Sequence, residues 1–322
     1  MSDKTTIEWT DATWNPITGC TVVSEGCRNC YAAELAATRL KNHPSRSGLA
    51  RRNKAGVAQF TGDVRFNEAW LDQPMRWQKP RRIFVCAHGD LFHESVPDEW
   101  IDRVFAVMAQ AQQHTFQVLT KRPERMRSYL SMFRAHPVPN VWLGVSIEDQ
   151  ETADERIPLL LGTPAAKRFI SAEPLLGQID LKQLRRENGS EVTTISALAG
   201  TWQIIDGDEY HGGHENKLDW VIVGGESGPN ARPMHPEWVR SLRDQCAAAN
   251  VPFFFKQWGE WIGVDTTWNG SNEWMIFDRH GNMDIPDHRW PDETAAEVAI
   301  IKVGKKAAGA LLDGVMHREF PK

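Results

Sequence analysis

Short, nearly unbroken apolar runs recur along the chain at Ile83–Ala87, Thr115–Leu119, Val141–Val145, Arg168–Ser171, Asp219–Val223 and Val251–Phe255. Runs of this length without alternation suit strands covered on both faces, as in a parallel sheet. A further strand near Trp14–Thr18 precedes them. Between the runs the period changes. Pro97–Gln112 sets Trp100, Ile101, Val104, Phe105 and Met108 on one face behind Asp98 and Glu99, acids that suit the positive end of a helix. Pro236–Ala249 opens on proline and Glu237 and runs apolar through Trp238, Leu242 and Cys246. Tyr31–Leu40 is alanine-rich and helix-prone.

Repeated strand–helix units imply right-handed crossovers and an α/β fold. With no dinucleotide fingerprint after the first strand, the pattern predicts a parallel (β/α) barrel or partial barrel, TIM-like, rather than a Rossmann sheet. Residues 1–262 are expected to form this barrel domain, with an N-terminal cysteine loop and a polar surface insertion at 185–217. Residues 263–322 are expected to be a C-terminal extension packed on the barrel, ending in a helix over Val303–Leu312.

Composition narrows the class. The 322 residues suffice for a large core, and five cysteines are too few and too uneven for a disulfide scaffold. Cys86 and Cys246 sit in apolar patterns and read as small buried hydrophobes. The first residues lack a basic segment leading into an apolar stretch, and no apolar run approaches the ~20 residues of a membrane span. A cytoplasmic location is therefore expected, with no membrane partner. Net charge is −5, yet Arg39, Lys41, Arg46, Arg51, Arg52 and Lys54 follow one another with no acid among them. Such a stretch meets phosphates or is simply solvated. The 14 tryptophans against 3 tyrosines are read mostly as core and pocket wall.

Cys20, Cys27 and Cys30 form a C-x6-C-x2-C cluster. Thiols this close are bridged, metal-bound or coincidental, and a reducing compartment argues against bridging. A closed zinc site wants four ligands, with His43 a candidate fourth. Three cysteines alone suit a 4Fe–4S cluster that keeps one iron without a protein ligand. Cys30, at a helix start, gains from the positive dipole end, which favours thiolate.

Polar groups also follow the predicted strands: Asp90, flanked by His88 and His93; Lys121 and Arg122; Glu148 and Asp149; Glu173; Gly224-Gly225-Glu226; and Lys256 with Gln257. In barrels of parallel strands the chemistry gathers at the C-terminal strand ends, so these residues are expected to share one pocket. The paired glycines would let a ligand approach the backbone, and Glu226 would accept from an ammonium or a ribose hydroxyl.

The loop Gly19-Cys20…Gly26-Cys27-Arg28-Asn29-Cys30-Tyr31-Ala32 resembles the cluster loop of radical S-adenosylmethionine enzymes, including spore-photoproduct-lyase relatives. Across residues 5–320 the chain is similar to a phage and prophage family carrying a three-cysteine motif. Trp14-Asn15-Pro16, Asp90-Leu91-Phe92-His93-Glu94, Leu119-Thr120-Lys121-Arg122-Pro123, Ser171-Ala172-Glu173-Pro174, Gly224-Gly225-Glu226-Ser227-Gly228-Pro229 and Phe255-Lys256-Gln257-Trp258-Gly259 carry that similarity. The first gap is three residues longer than the C-x3-C-x2-C of radical enzymes, and Gly-Gly-Glu follows a late strand instead of the second.

The resemblance implies an iron–sulfur enzyme using S-adenosylmethionine. Cys20, Cys27 and Cys30 would hold the cluster. Asp90, Glu148, Glu173, Gly224, Gly225 and Glu226 would contact the cofactor, and Lys121, Arg122 and Lys256 an anionic substrate or the cofactor carboxylate. A reductant protein is an expected partner, and a nucleotide or nucleic acid a candidate substrate. Two other readings stay open: a zinc-binding nucleic-acid or protein-interaction module, and an iron–sulfur redox sensor.

Overall fold

A computed structural model describes residues 5–133, 136–188, 191–206, 209–264, 273–278, 281, 283–284 and 298–322. Its centre is a seven-stranded sheet built from the apolar runs: β1 (Ala12–Trp14), β2 (Arg82–Val85), β3 (Thr115–Thr120), β4 (Val141–Ile147), β5 (Lys167–Ala172), β6 (Trp220–Gly224) and β7 (Phe253–Gln257). Every neighbouring pair is parallel and spatial order follows chain order, so each connection steps the same way. Parallel strands wound in one direction twist progressively, and the sheet curls into a half-barrel.

The curl is visible in the packing of its concave face. Trp9 touches Phe84 of β2, Phe169 of β5 and Trp220 of β6 at ring-centroid separations of 4.7, 6.3 and 6.3 Å. A flat sheet would keep β2 and β6 too far apart for one indole to reach both, given ~4.8 Å between neighbouring strands. Phe254 of β7 joins this inner cluster, and Phe320 packs on Trp220 at 5.1 Å. Each fully buried aromatic of this kind contributes roughly 1.5–3 kcal/mol of transfer free energy. A separate, larger cluster of aliphatic and aromatic residues is buried under the crossover helices.

Of those helices, α1 spans Tyr31–Ala37, α2 Asp98–Gln110, α3 Pro123–Phe133, α4 Gln150–Leu161 and α5 Pro236–Ala249. Three of them, α1, α2 and α5, begin where the sequence signals them. α2 buries Ile101, Val104, Phe105 and Met108 as its periodicity predicts, while Trp100 is only partly buried. At the start of α4, Asp149 accepts from the Thr152 amide at 2.9 Å, so this acid caps a helix and does not face a ligand. Cys246 is buried in the convex core, as expected of a small apolar residue; Cys86 is buried as well, but it sits on the wall of the cavity at the strand ends.

Two segments differ from expectation. The polar insertion is ordered as a four-stranded antiparallel sheet, Leu184–Asn188, Glu191–Ser196, Thr201–Asp206 and Glu209–His214. Its alternation of Thr193, Ile195, Trp202 and Ile204 with polar neighbours is a one-face pattern, easily mistaken for a loop. The expected terminal helix is a single turn, Lys305–Ala308, bracketed by Gly304 and Gly309, and Leu311–Leu312 instead pairs with Val315–Met316. A boundary at 262/263 would cut the strand Trp261–Val264, which pairs with Val298–Lys302. Among the described residues, no helix is long and apolar enough to cross a membrane.

Candidate functional site

The C-terminal ends of the seven strands open on a cavity of about 860 Å³. Cys20, Cys27 and Cys30 all line it, with Asp90, Lys121, Arg122, Glu173, Gly225, Glu226 and Lys256. Glu148 and Gly224 do not; they lie behind its wall.

The cysteine loop leaves β1 through Asn15–Gly19 and crosses the mouth. Cys20 is joined to β3 by Arg122, whose Nη1 donates to Cys20 Sγ at 3.5 Å and whose Nη2 donates to Thr21 Oγ1 at 2.5 Å. Arg122 also donates to Asp90 Oδ2 at 3.1 Å and to Glu94 Oε1 at 2.7 Å, which holds its guanidinium above the usual arginine range. Cys27 closes a short helical turn over Glu25–Cys27. Cys30 is the N-cap of α1, as expected; burial raises its thiol pKa, opposed by the Ala33 and Ala32 amides. Burial likewise pushes the Cys20 thiol up to about 12, so deprotonation there calls for a bound cation. All three cysteines are free and partly exposed.

Two buried carboxylates fasten this loop to distant strands. Asn29, between Cys27 and Cys30, donates from Nδ2 to Glu226 Oε2 at 2.9 Å. Glu226 also accepts from Arg232, through its backbone N–H at 2.8 Å, Nε at 3.0 Å and Nη2 at 2.6 Å. Arg232 in turn reaches the Glu25 carbonyl at 2.9 Å. These donors hold the Glu226 carboxyl below the usual range despite burial. Glu148 sits fully buried under Gly26, where a Cβ would meet its Oε1 at 2.3 Å. It accepts from Ser24 Oγ at 3.0 Å, pairs with Arg156 at 3.2 Å and contacts Lys121 Nζ. Burial, reinforced by Arg156, draws Lys121 down to about 8, opposed by Cys27, Cys30 and Asp90.

Asp90 is consumed in a similar way. It accepts from Thr120 Oγ1 at 2.7 Å, the Phe92 amide at 2.9 Å, the Lys121 amide at 3.2 Å and Arg122. Its carboxylate ties the end of β2 to the end of β3. Gly225 serves close packing between backbones: a Cβ there would lie 1.9 Å from the Trp258 carbonyl oxygen. Glu173 and Lys256 form an ion pair at 2.8 Å on the cavity wall, with Ser171 Oγ on the other carboxylate oxygen at 3.1 Å.

The sequence therefore brings its site residues together, but most of the acids position the cysteine loop. His93 is buried, with Nε2 3.2 Å from Thr21 Oγ1, and faces the loop instead of the open cavity. Arg46 and Arg232 were missed as individual site residues. Arg46 was legible only as one charge in a basic stretch, and Arg232 carried no signal, lying in a loop six residues past Glu226. Among the described residues, no group of three or more His, Cys, Asp or Glu is gathered tightly enough to hold a metal ion. A single zinc needs sulfurs within roughly 4 Å of one another, because Zn–S bonds are about 2.3 Å; a polynuclear cluster is gripped by ligands set wider apart.

The family described as "Protein of unknown function (DUF5131)" matches residues 4–321, and the chain belongs to it. No curated protein and no solved structure matches the chain.

Proposed function

We propose that this member of the family is a radical S-adenosylmethionine-type iron–sulfur enzyme on a TIM-like partial barrel. The observation that carries the reading is the convergence of Cys20, Cys27 and Cys30 on one large cavity at the strand ends. Three free, partly exposed thiols with lysine and arginine beside them form a donor set suited to a 4Fe–4S cluster. When bound, such a cluster would supply the electron that cleaves the sulfonium carbon–sulfur bond of S-adenosylmethionine.

The chain's own residues divide the remaining work. Arg122 donates toward Cys20 and offsets the negative charge that three thiolates bring together. Glu226 and Glu148 fix the loop, so the cysteines keep their spacing without metal. Glu173 and Lys256 offer a carboxylate and an ammonium side by side, and an amino-acid group can exchange into that pair, its ammonium on Glu173 and its carboxylate on Lys256. The reading implies a reducing compartment, hence the cytoplasm, and an electron-donating protein partner. A nucleotide or nucleic acid remains the substrate class suggested by the basic stretch.

Anaerobic reconstitution tests this. Brown protein carrying about four irons and absorbing near ~400 nm is expected, with the spectrum altered by S-adenosylmethionine and deoxyadenosine released on reduction. Colourless protein holding stoichiometric zinc would overturn the reading, and a cluster that leaves S-adenosylmethionine intact would favour a redox sensor.

A further inference from the structure

The carboxylates that line the cavity are each matched by a cation: Asp90 by Arg122, Glu226 by Arg232 and Glu173 by Lys256. Arg46 breaks this balance. It lines the same cavity, is 5% exposed, and among the described residues pairs with no carboxylate. Its Nη1 donates to Ser45 Oγ at 2.5 Å, and its buried Nε has no partner. The Trp70 ring lies 5.6 Å from the guanidinium carbon. Beside it on the cavity wall, the buried Nδ1 of His88 is also without a partner.

A buried guanidinium without a counter-charge is disfavoured until an anion arrives. Burial brings Arg46 down to about 10, so it is still protonated near neutral pH. Arg39 and Lys305 line the same cavity, and Leu35–Gly62 contains no acid. Arg46, Arg39 and Lys305 thus add positive charge to the cavity lining beyond what the paired carboxylates balance.

We infer that Arg46, with His88 beside it, is the binding site for a phosphate group of the substrate. A guanidinium whose Nε lacks a partner has donor capacity to spare for a tetrahedral oxyanion, and the further cations Arg39 and Lys305 on the same lining suit a phosphate ester better than a lone carboxylate. The inference deepens the enzymatic reading by naming the substrate class, yet it stands on cavity charge alone and needs no cluster.

The test is calorimetric titration of the full chain with inorganic phosphate at low ionic strength, both as purified and after iron reconstitution. Saturable binding is expected in both states. Arg46→Met should weaken it about tenfold or more, Arg46→Lys less, and Lys182→Ala, outside the cavity, not at all. Acetate should bind more weakly than phosphate. A nucleoside 5′-monophosphate and a short oligonucleotide then assign the source, the tighter of the two marking the substrate. No saturable phosphate binding by the wild type would overturn the inference even if Arg46→Met fails to fold, as would equal affinity across folded variants or acetate binding as tightly as phosphate. Because the site is read without iron, failure here leaves the cluster assignment standing, and a colourless protein that binds phosphate leaves this site standing.

Discussion

Asn29 donates its side-chain amide to Glu226 at 2.9 Å across 197 positions of sequence. The residue between two candidate cluster ligands is therefore held by the end of β6, and Arg232 completes the latch from Glu226 back to the Glu25 carbonyl. A loop of this kind, rich in polar backbone and short of apolar anchors, gains its conformation from charge-assisted hydrogen bonds.

Glu226→Gln keeps an acceptor for Asn29 but removes the charge that satisfies Arg232. A stability loss of about 1–3 kcal/mol is expected, with lower iron loading although every cysteine is intact. Hydrogen exchange over residues 25–30 should quicken. Wild-type loading together with unchanged exchange would show that the latch is dispensable.

Cys27→Ala should abolish iron loading. Cys86→Ala, at a buried thiol that also lines the cavity, should load normally and cost about 1 kcal/mol in packing. Iron analysis of the two variants after identical reconstitution checks this, and equal loading would mean the wrong thiols have been assigned.

Glu148→Gln leaves Arg156 buried beside a neutral amide and deprives Lys121 of its counter-charge. Removing one partner of a buried pair costs roughly 3–5 kcal/mol, so the melting temperature should drop by several degrees. A melt indistinguishable from wild type would show that water or rearrangement supplies the missing charge.

His88 gives a pH signature. Burial, reinforced by Arg46 and Arg39, takes its imidazole from 6.5 to about 4 in the folded chain. The unfolded chain binds the extra proton between those values, so this group's contribution is fully present above pH 6.5 and is lost as pH falls toward 4. The loss is on the order of 3 kcal/mol. Denaturation midpoints across that window should flatten in His88→Gln, and a slope unchanged by the substitution would place the titration elsewhere.

Much of the sheet was legible because each strand buries most of both faces, leaving a short run free of polar residues such as Val141–Val145 or Phe253–Phe255. Helix starts were legible where chemistry marks them, as at Asp98 and Pro236. The insertion was not, since strands wetted on one face offer only alternation, and its glycines and charges mask that alternation. Within the site, the meeting of residues at the strand ends followed from topology, but their roles did not. Glu226, Glu148 and Asp90 look like ligand-facing acids in sequence; only geometry shows that neighbouring N–H and O–H donors already occupy them. Arg46 was the reverse case, a member of a basic run whose burial no local pattern discloses.

The inner aromatic cluster has a practical consequence. Trp220 meets Trp9 and Trp142 edge-on, with interplanar angles of 83° in both pairs, and Trp9 also lines the cavity beneath the cysteine loop. Indoles fixed in this way couple their ultraviolet transitions, so near-ultraviolet circular dichroism gives the half-barrel an intrinsic reporter. Loss of that signal marks unfolding of the scaffold, and its persistence in a variant that takes up no iron would assign the defect to the mouth alone.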